Sequence, residues 1–259
     1  MKSIIKKAAQ FFGYNLKKIN RQHDGKDFAN SLFLPKIELE EAELKPNSEL
    51  SRYFLENKNK DIYKHHHYFD IYDKYFNNQK TTTFMEIGVF KGGSLKMWRH
   101  FLGAEATIIG VDINEEVKRF EDEKTHIRIG DQADPKFLKS LAEEFGSFDI
   151  ILDDGGHTAT QQINSFLHLY PYVREDGGVY MVEDTNTSFW GYTDTQDQTT
   201  FLEFCAKLPS LLYEPYYSGP DELIRKVSPF CASTHSIAFY DSIVVLEKRK
   251  KSLPTCELR

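Results

Sequence analysis

Two short apolar runs in this chain end in the same way. Ile150-Ile151-Leu152 leads into Asp153-Asp154-Gly155-Gly156-His157, and Val179-Tyr180-Met181-Val182 leads into Glu183-Asp184. Continuous apolar runs of this length suit strands buried on both faces, as in a parallel sheet covered by helices. A helical pattern from about Thr160 to Tyr170 separates them, so they read as a strand–helix–strand unit. In a parallel pair both acidic ends fall at the carboxyl edge, where open α/β sheets bind ligands. Four carboxylates and one imidazole then converge. Such a cluster repels itself unless something positive sits within it, and a hard divalent cation such as Mg²⁺ takes oxygen ligands. The imidazole beside it is a candidate proton acceptor. Asp and Asn also open helices as N-caps, which accounts for a single acid better than for two matched strand ends.

The same alternation extends upstream. Phe84-Met85-Glu86-Ile87-Gly88-Val89 reads as a strand and Ser94 to Leu102 as a helix. Thr107 to Val111 is a strand ending at Asp112. His126 to Ile129 is a strand ending at Gly130-Asp131-Gln132, and Pro135 to Phe145 is a helix with proline in its first turn. Alternating strands and helices predict a parallel sheet with helices on both faces. The end of the chain differs. Ile237 to Tyr240 and Ile243 to Leu246 are separated only by Asp241-Ser242, enough for a hairpin and too little for a parallel crossover. The sheet is therefore expected to close with an antiparallel pair.

A length of 259 residues, 40% of them hydrophobic, suits one globular domain with additions. The net charge of -6 disfavours a general nucleic-acid surface. Cys205, Cys231 and Cys256 are odd in number and show no C-x-x-C spacing, so a disulfide framework or zinc site is not expected and a reducing cytoplasm fits. No apolar run approaches the roughly 20 residues of a membrane-spanning helix, and the N-terminus lacks a signal-peptide core. Residues 1 to about 20 read as a basic amphipathic helix, with Lys2, Lys6, Lys7, Lys17 and Lys18 and no acid before Asp24. Such a segment can lie peripherally on the inner face of an anionic membrane, or dock on its own domain or on another subunit of a homo-oligomer. Residues 31–50 read as a linker with an acidic run between Pro35 and Pro46.

The first strand and its helix enclose Glu86-x-Gly88-x-x-x-Gly92-Gly93-Ser94. Glycines let backbone approach a ligand, and a helix N-terminus offers N–H groups. Asp112 is placed to accept from ribose hydroxyls. A tight strand–helix turn alone would explain the glycines; with Glu86 and Asp112, an adenosine-containing cofactor is the better account. The spacing is not the dinucleotide fingerprint. An acid at the first strand end is unfriendly to pyrophosphate and suits a cationic cofactor, so S-adenosylmethionine fits better than NAD. Asp131 and Gln132 would neighbour the adenine, or cap the helix at Pro135.

Glu86-Ile87-Gly88-Val89-Phe90-Lys91-Gly92-Gly93-Ser94-Leu95-Lys96-Met97-Trp98 resembles motif I of the macrocin and mycinamicin sugar O-methyltransferases. Gly130-Asp131-Gln132, Asp153 to His157, Glu183 to Trp190 and Phe239 to Val245 resemble further blocks of that family. The similarity runs from about Asp61 to Lys248, dividing the chain into an N-terminal helix and linker (1–60) and a methyltransferase domain (61–259). It implies a Rossmann-like class I methyltransferase fold, a seven-stranded, mostly parallel sheet whose last two strands form the hairpin. It also implies Mg²⁺-dependent transfer of a methyl group to a sugar hydroxyl of a glycan or glycosylated natural product. By position, Asp154, Glu183 and Asp184 would hold the metal and His157 would be the base. Asp153 would contact the methionine ammonium or support its neighbours. The family usually has Ser at Gly156, a change expected to leave the metal site intact, and often His at Asn186 and Tyr at Phe189, changes that bear on the acceptor. Cephalosporin-hydroxylase-like proteins share much of the scaffold, so a hydroxylase or a non-catalytic binding module are the rival readings; the acids and one histidine do not make a two-His, one-carboxylate iron site.

Lys64-His65-His66-His67 invites a metal reading, but adjacent side chains on a helix do not share a face. His66, Tyr68 and Tyr72 resemble a family block that covers the cofactor, so Tyr68 joins the expected cofactor contacts. The stretch from Thr185 to Ser236 is long for a connection and rich in aromatics, including Phe189, Trp190, Tyr213, Tyr216 and Tyr217. It reads either as a lid that stacks on a sugar or as a small satellite core.

Overall fold

The computed structural model describes residues 17–18, 37–41, 43–77, 83–190, 192–219 and 222–257. Seven strands form its main sheet: β1 (Thr83–Ile87), β2 (Thr107–Asp112), β3 (Thr125–Ile129), β4 (Ile150–Asp153), β5 (Val179–Val182), β6 (Thr234–Tyr240) and β7 (Ile243–Lys248). Their order across the sheet is 3-2-1-4-5-7-6. The first five run parallel, and β7 lies antiparallel between β5 and β6. The expected α/β architecture with a closing hairpin is observed, and Ser242 makes the two-residue turn possible by adopting a left-handed φ of 65°.

Period-two alternation sorts the strand side chains onto two cores. Phe84, Ile108, Ile150, Leu152, Met181 and Val245 face one cluster. Met85, Ile109, Ile151, Tyr180, Val182 and Val244 face the other. The first is covered by α1 (Glu49–Glu56), α2 (Tyr68–Phe76) and α3 (Gly93–Leu102), which contribute Leu50, Tyr72, Phe76 and Trp98. The second is covered by α4 (Pro135–Phe145), α5 (Ala159–Leu169) and α6 (Phe201–Leu211), through Leu138, Phe166, Phe201 and Cys205. A short α7 (Pro229–Ser233) leads into β6. No helix among the described residues is long and apolar enough to cross a membrane.

The N-terminal region departs from its sequence reading in two places. Leu50 is completely buried in the first core, and α1 begins at Glu49 inside the segment read as linker. Truncating a buried leucine of this kind to alanine costs about 2–5 kcal/mol, so α1 is a working part of the fold. Lys17–Lys18 pairs antiparallel with Tyr192–Thr193 and so does not continue a helix. The rest of the expected basic helix lies outside the described residues.

The site is positioned by connectivity. From β1 the chain steps outward through β2 and β3, then returns to the opposite side of β1 as β4. That reversal opens a crevice at the carboxyl ends of β1 and β4. The register places Ile87 beside Asp153 and Asp153 beside Val182, so the next residues, Gly88, Asp154 and Glu183, come out side by side.

Candidate active site

A cavity of about 480 Å³ lies along this carboxyl edge. On the β1–β3 side it is bounded by Gly88, Asp112, Gly130 and Asp131. Gly88 has a φ of 95°, and a Cβ there would overlap the Asp154 carbonyl, so only glycine lets the two strand ends approach. Asp112 accepts from the backbone N–H of Val89 (2.9 Å) and Phe90 (3.1 Å) through Oδ2, and from Asn114 N–H (2.9 Å) through Oδ1. These bonds hold its carboxylate at the cavity wall. Carboxylate oxygens have lone pairs to spare for further donors, so Asp112 still suits ribose hydroxyls.

On the β4–β5 side the turn 154–157 is tied down by Gln132, whose Oε1 accepts from Gly156 N–H at 2.7 Å while its Nε2 donates to Asp153 Oδ1 at 3.1 Å. His157 has a φ of 58° and Asp184 a φ of 52°. Two neighbouring non-glycine residues in the left-handed region are a local strain of the kind that collects at functional sites. Thr158 then caps α5 through a reciprocal pair with Gln161. The result aims His157 Nε2 at Asp184 Oδ2 (3.4 Å) and Asp154 Oδ1 (3.8 Å). One ligand atom from each of Asp154, His157 and Asp184 lies within 4.8 Å of the others. The two carboxylates at an open cavity fit a divalent cation, and the imidazole stands beside them.

Glu183 is placed differently. It is buried, and its carboxylate accepts from Lys64 Nζ at 2.9 Å and 3.0 Å and from the Tyr72 hydroxyl. Lys64 also donates to Asp154 Oδ2 at 2.5 Å and lies 4.0 Å from Glu86. Burial opposes the Lys64 charge, but Asp154, Glu183 and Glu86 outweigh it and shift the ammonium upward, so it stays protonated. One turn along α2 from Tyr72, Tyr68 donates to Asp184 Oδ1 at 2.6 Å. The 68/72 spacing puts both hydroxyls on one helix face, and each reaches one acid of the Glu183-Asp184 pair.

The residues read from the sequence therefore divide. Gly88, Asp112, Asp131, Gln132, Tyr68, Asp154, His157, Glu183 and Asp184 line the cavity. Glu86, Gly92, Gly93, Ser94 and Asp153 do not. Glu86 is fully buried, accepting from Ser94 Oγ (2.7 Å) and Trp98 Nε1 (3.0 Å), and burial pushes its carboxyl up to about 7. It fastens β1 to α3. Gly92 packs against Phe120 and Gly93 against Asp61, so the N-terminus of α3 is covered by the chain's own carboxylate segment. Asp153 is fully buried beneath Gln132, and burial pushes its carboxyl up to about 6. Lys64, the central cation of the site, enters the sequence reading only as the start of a histidine run and is given no role there. A lone lysine has no spacing to betray it. The three histidines diverge: His65 lines the cavity 4.0 Å from Asp184, His66 meets Phe54, and His67 Nε2 contacts the Asp241 carbonyl at 3.0 Å. Phe189, Tyr213, Tyr216 and Tyr217 are exposed and do not line the cavity. In that stretch Phe201, Cys205 and Leu208 build core instead.

This sheet order is that of the α/β methyltransferase fold, and residues 85–185 match the family described as a methyltransferase domain. More particularly, the resemblance to sugar O-methyltransferases holds. Over 201 residues the chain is 32% identical to 8-demethyl-8-alpha-L-rhamnosyl tetracenomycin-C 2'-O-methyltransferase of Streptomyces olivaceus, covering 72% of this chain and 51% of that protein. It is 38% identical over 128 residues to demethylmacrocin O-methyltransferase of Streptomyces fradiae, covering 46% and 32%. Among solved structures, MycE methyltransferase from the mycinamycin biosynthetic pathway, in complex with Mg, SAH and mycinamycin VI, superposes with a TM-score of 0.63 at 29% identity, covering 78% of this chain and 53% of that one. The chain thus spans about half or less of the length of these relatives.

Proposed function

We propose that the protein is an S-adenosylmethionine-dependent, Mg²⁺-dependent O-methyltransferase acting on a sugar hydroxyl of a glycan or glycosylated natural product. The observation that carries this reading is the convergence of Asp154, His157 Nε2 and Asp184 at the open end of a cavity whose other wall is Gly88 and Asp112. The relatives named for a rhamnosyl tetracenomycin-C and an L-olivosyl-oleandolide support the acceptor class. Asp112 holds the ribose, and Gly88 leaves room for the cofactor against the strand ends. Asp154 and Asp184 are residues that would hold the metal. When bound, S-adenosylmethionine supplies an electrophilic methyl group and Mg²⁺ stabilises negative charge developing on the acceptor oxygen. His157 takes the hydroxyl proton at Nε2, where the positive charge it gains lies beside two carboxylates. Walls that brought acceptor and methyl donor into line would supply much of the rate of a direct displacement.

Methyl transfer from labelled S-adenosylmethionine to a panel of glycosides, with EDTA and with Mg²⁺ restored, is the test. Transfer is expected to stop with EDTA and to return with Mg²⁺. Full turnover in EDTA would remove the metal from the proposal, and transfer only to acceptors lacking a sugar would remove the acceptor class.

A further inference from the structure

His157 takes its left-handed φ of 58° at the end of a double-glycine turn, and side-chain amides hold the chain on both sides of it. Gln132, just past β3, is buried. Its Oε1 accepts from Gly156 N–H at 2.7 Å, and its Nε2 donates to Asp153 Oδ1 at 3.1 Å and to Ser165 Oγ at 3.2 Å. Both N–H groups and the oxygen are thus engaged inside the protein. Past the histidine, Gln161 Oε1 accepts from Thr158 N–H at 3.2 Å. A Cβ at Gly155 would overlap the Gln132 amide, and one at Gly156 would overlap the Gln161 amide. The two glycines are therefore the space into which two carboxamides pack. A third tie comes from Thr187, whose hydroxyl donates to the His157 carbonyl at 3.1 Å.

We infer that Gln132 is a positioning residue for His157, resting on the reading of His157 as the base: it fixes the backbone of the turn so that Nε2 stays aimed at Asp154 and Asp184. A non-glycine residue at positive φ persists only where its surroundings over-determine it. Among the three ties, the one from Gln132 reaches into both the sheet and a helix. Asp153 ends β4 and Ser165 lies on α5, both fully buried, so the carboxamide transmits the position of two rigid elements to the Gly156 N–H. Without it the turn is free to relax toward an ordinary φ and to carry the imidazole off its aim. A general base must stand within hydrogen-bond reach of the proton it takes, and a misplacement of about 1 Å is enough to cost about 100-fold in rate.

A double-mutant cycle separates this role from a purely structural one and from a cofactor contact. Gln132→Met keeps the length of the side chain and removes all three hydrogen bonds. In the full-length protein its turnover is expected to fall by about 10- to 100-fold, with S-adenosylhomocysteine affinity, read by calorimetry, within about threefold of the wild type. In a His157→Ala background the same change is expected to cost less than about twofold, because the group it positions is gone. A folded Gln132→Met with wild-type turnover, an equal loss of cofactor affinity, or the full loss of rate repeated in the His157→Ala background overturns the inference alone. Should Gln132→Met fail to fold, crystals of the wild type with S-adenosylhomocysteine decide. Gln132 is expected with Oε1 on the Gly156 N–H and Nε2 on Asp153, and a carboxamide turned onto the ligand overturns the inference. Wild-type protein that transfers no methyl group, or His157→Ala at the wild-type rate, overturns the reading on which the inference rests.

Discussion

The two halves of the carboxyl edge use their acids in opposite ways. On the β1–β3 half, Glu86 and Asp112 are turned toward the protein. Glu86 binds Ser94 and Trp98, and Asp112 binds three backbone amides. On the β4–β5 half, Asp154 and Asp184 are turned toward each other, toward His157 and toward open space. The first half is a scaffold that shapes a cavity, and the second is a charged cluster. An acid at a strand end is therefore a candidate ligand only if its oxygens are not already spent. Glu86 fails that condition, while Asp154 and Asp184 meet it on their cavity-facing edges.

The sharpest way to break the comparison is to remove the group unique to the charged half. His157→Ala is expected to lower turnover by roughly 10²–10⁴. S-adenosylhomocysteine binding, measured by calorimetry, should be unchanged, because the β1–β3 wall is untouched. Loss of metal binding with a normal rate at excess metal would instead make His157 a ligand. The scaffold half predicts a stability effect in place of a rate effect. Burial raises the Glu86 carboxyl from 4.5 to about 7, so the folded state holds its proton more tightly than the unfolded chain. That contribution is complete below about pH 4.5 and is lost as pH rises through about 7. Glu86→Gln keeps an acceptor and removes the titration. Its unfolding free energy should fall less than the wild type's between pH 4.5 and 8, by about 3 kcal/mol at most, as read by urea unfolding at each pH. Parallel curves would show that Glu86 is not buried as described. The smallest effect is expected at Asp112, which serves both roles. Asp112→Ala should weaken S-adenosylmethionine binding by about 1.5–3 kcal/mol through loss of a charged hydrogen bond. NAD binding should stay absent in both proteins, and tight NAD binding would count against the cofactor assignment.

Much of this was legible in one dimension. Apolar runs of four to six residues alternating with amphipathic helices prescribe a parallel sheet, and a two-residue gap prescribes the closing hairpin. Acids placed directly after apolar strands must emerge at one edge whatever the strand order, which is why Asp112, Asp154, His157 and Asp184 were recoverable from sequence. Strand length and connection length are local quantities, and local quantities survive in a string of letters. The tertiary structure alone decided which acids remain available. Glu86 and Asp154 look alike as strand-end acids, yet one meets the indole of Trp98 and the other faces a cavity, because helix packing on the first core brings Trp98 beneath β1. Lys64 enters the acid cluster from 90 residues away from Asp154 and 119 from Glu183. No periodicity links such distant positions. Only the docking of α2 against the sheet, through Tyr68, Phe69, Tyr72 and Phe76, carries that ammonium to its partners. The sequence by itself determined where charge would gather; packing determined how that charge was divided between the protein and its ligands, because each buried polar atom must find a partner and only the folded chain supplies the choice.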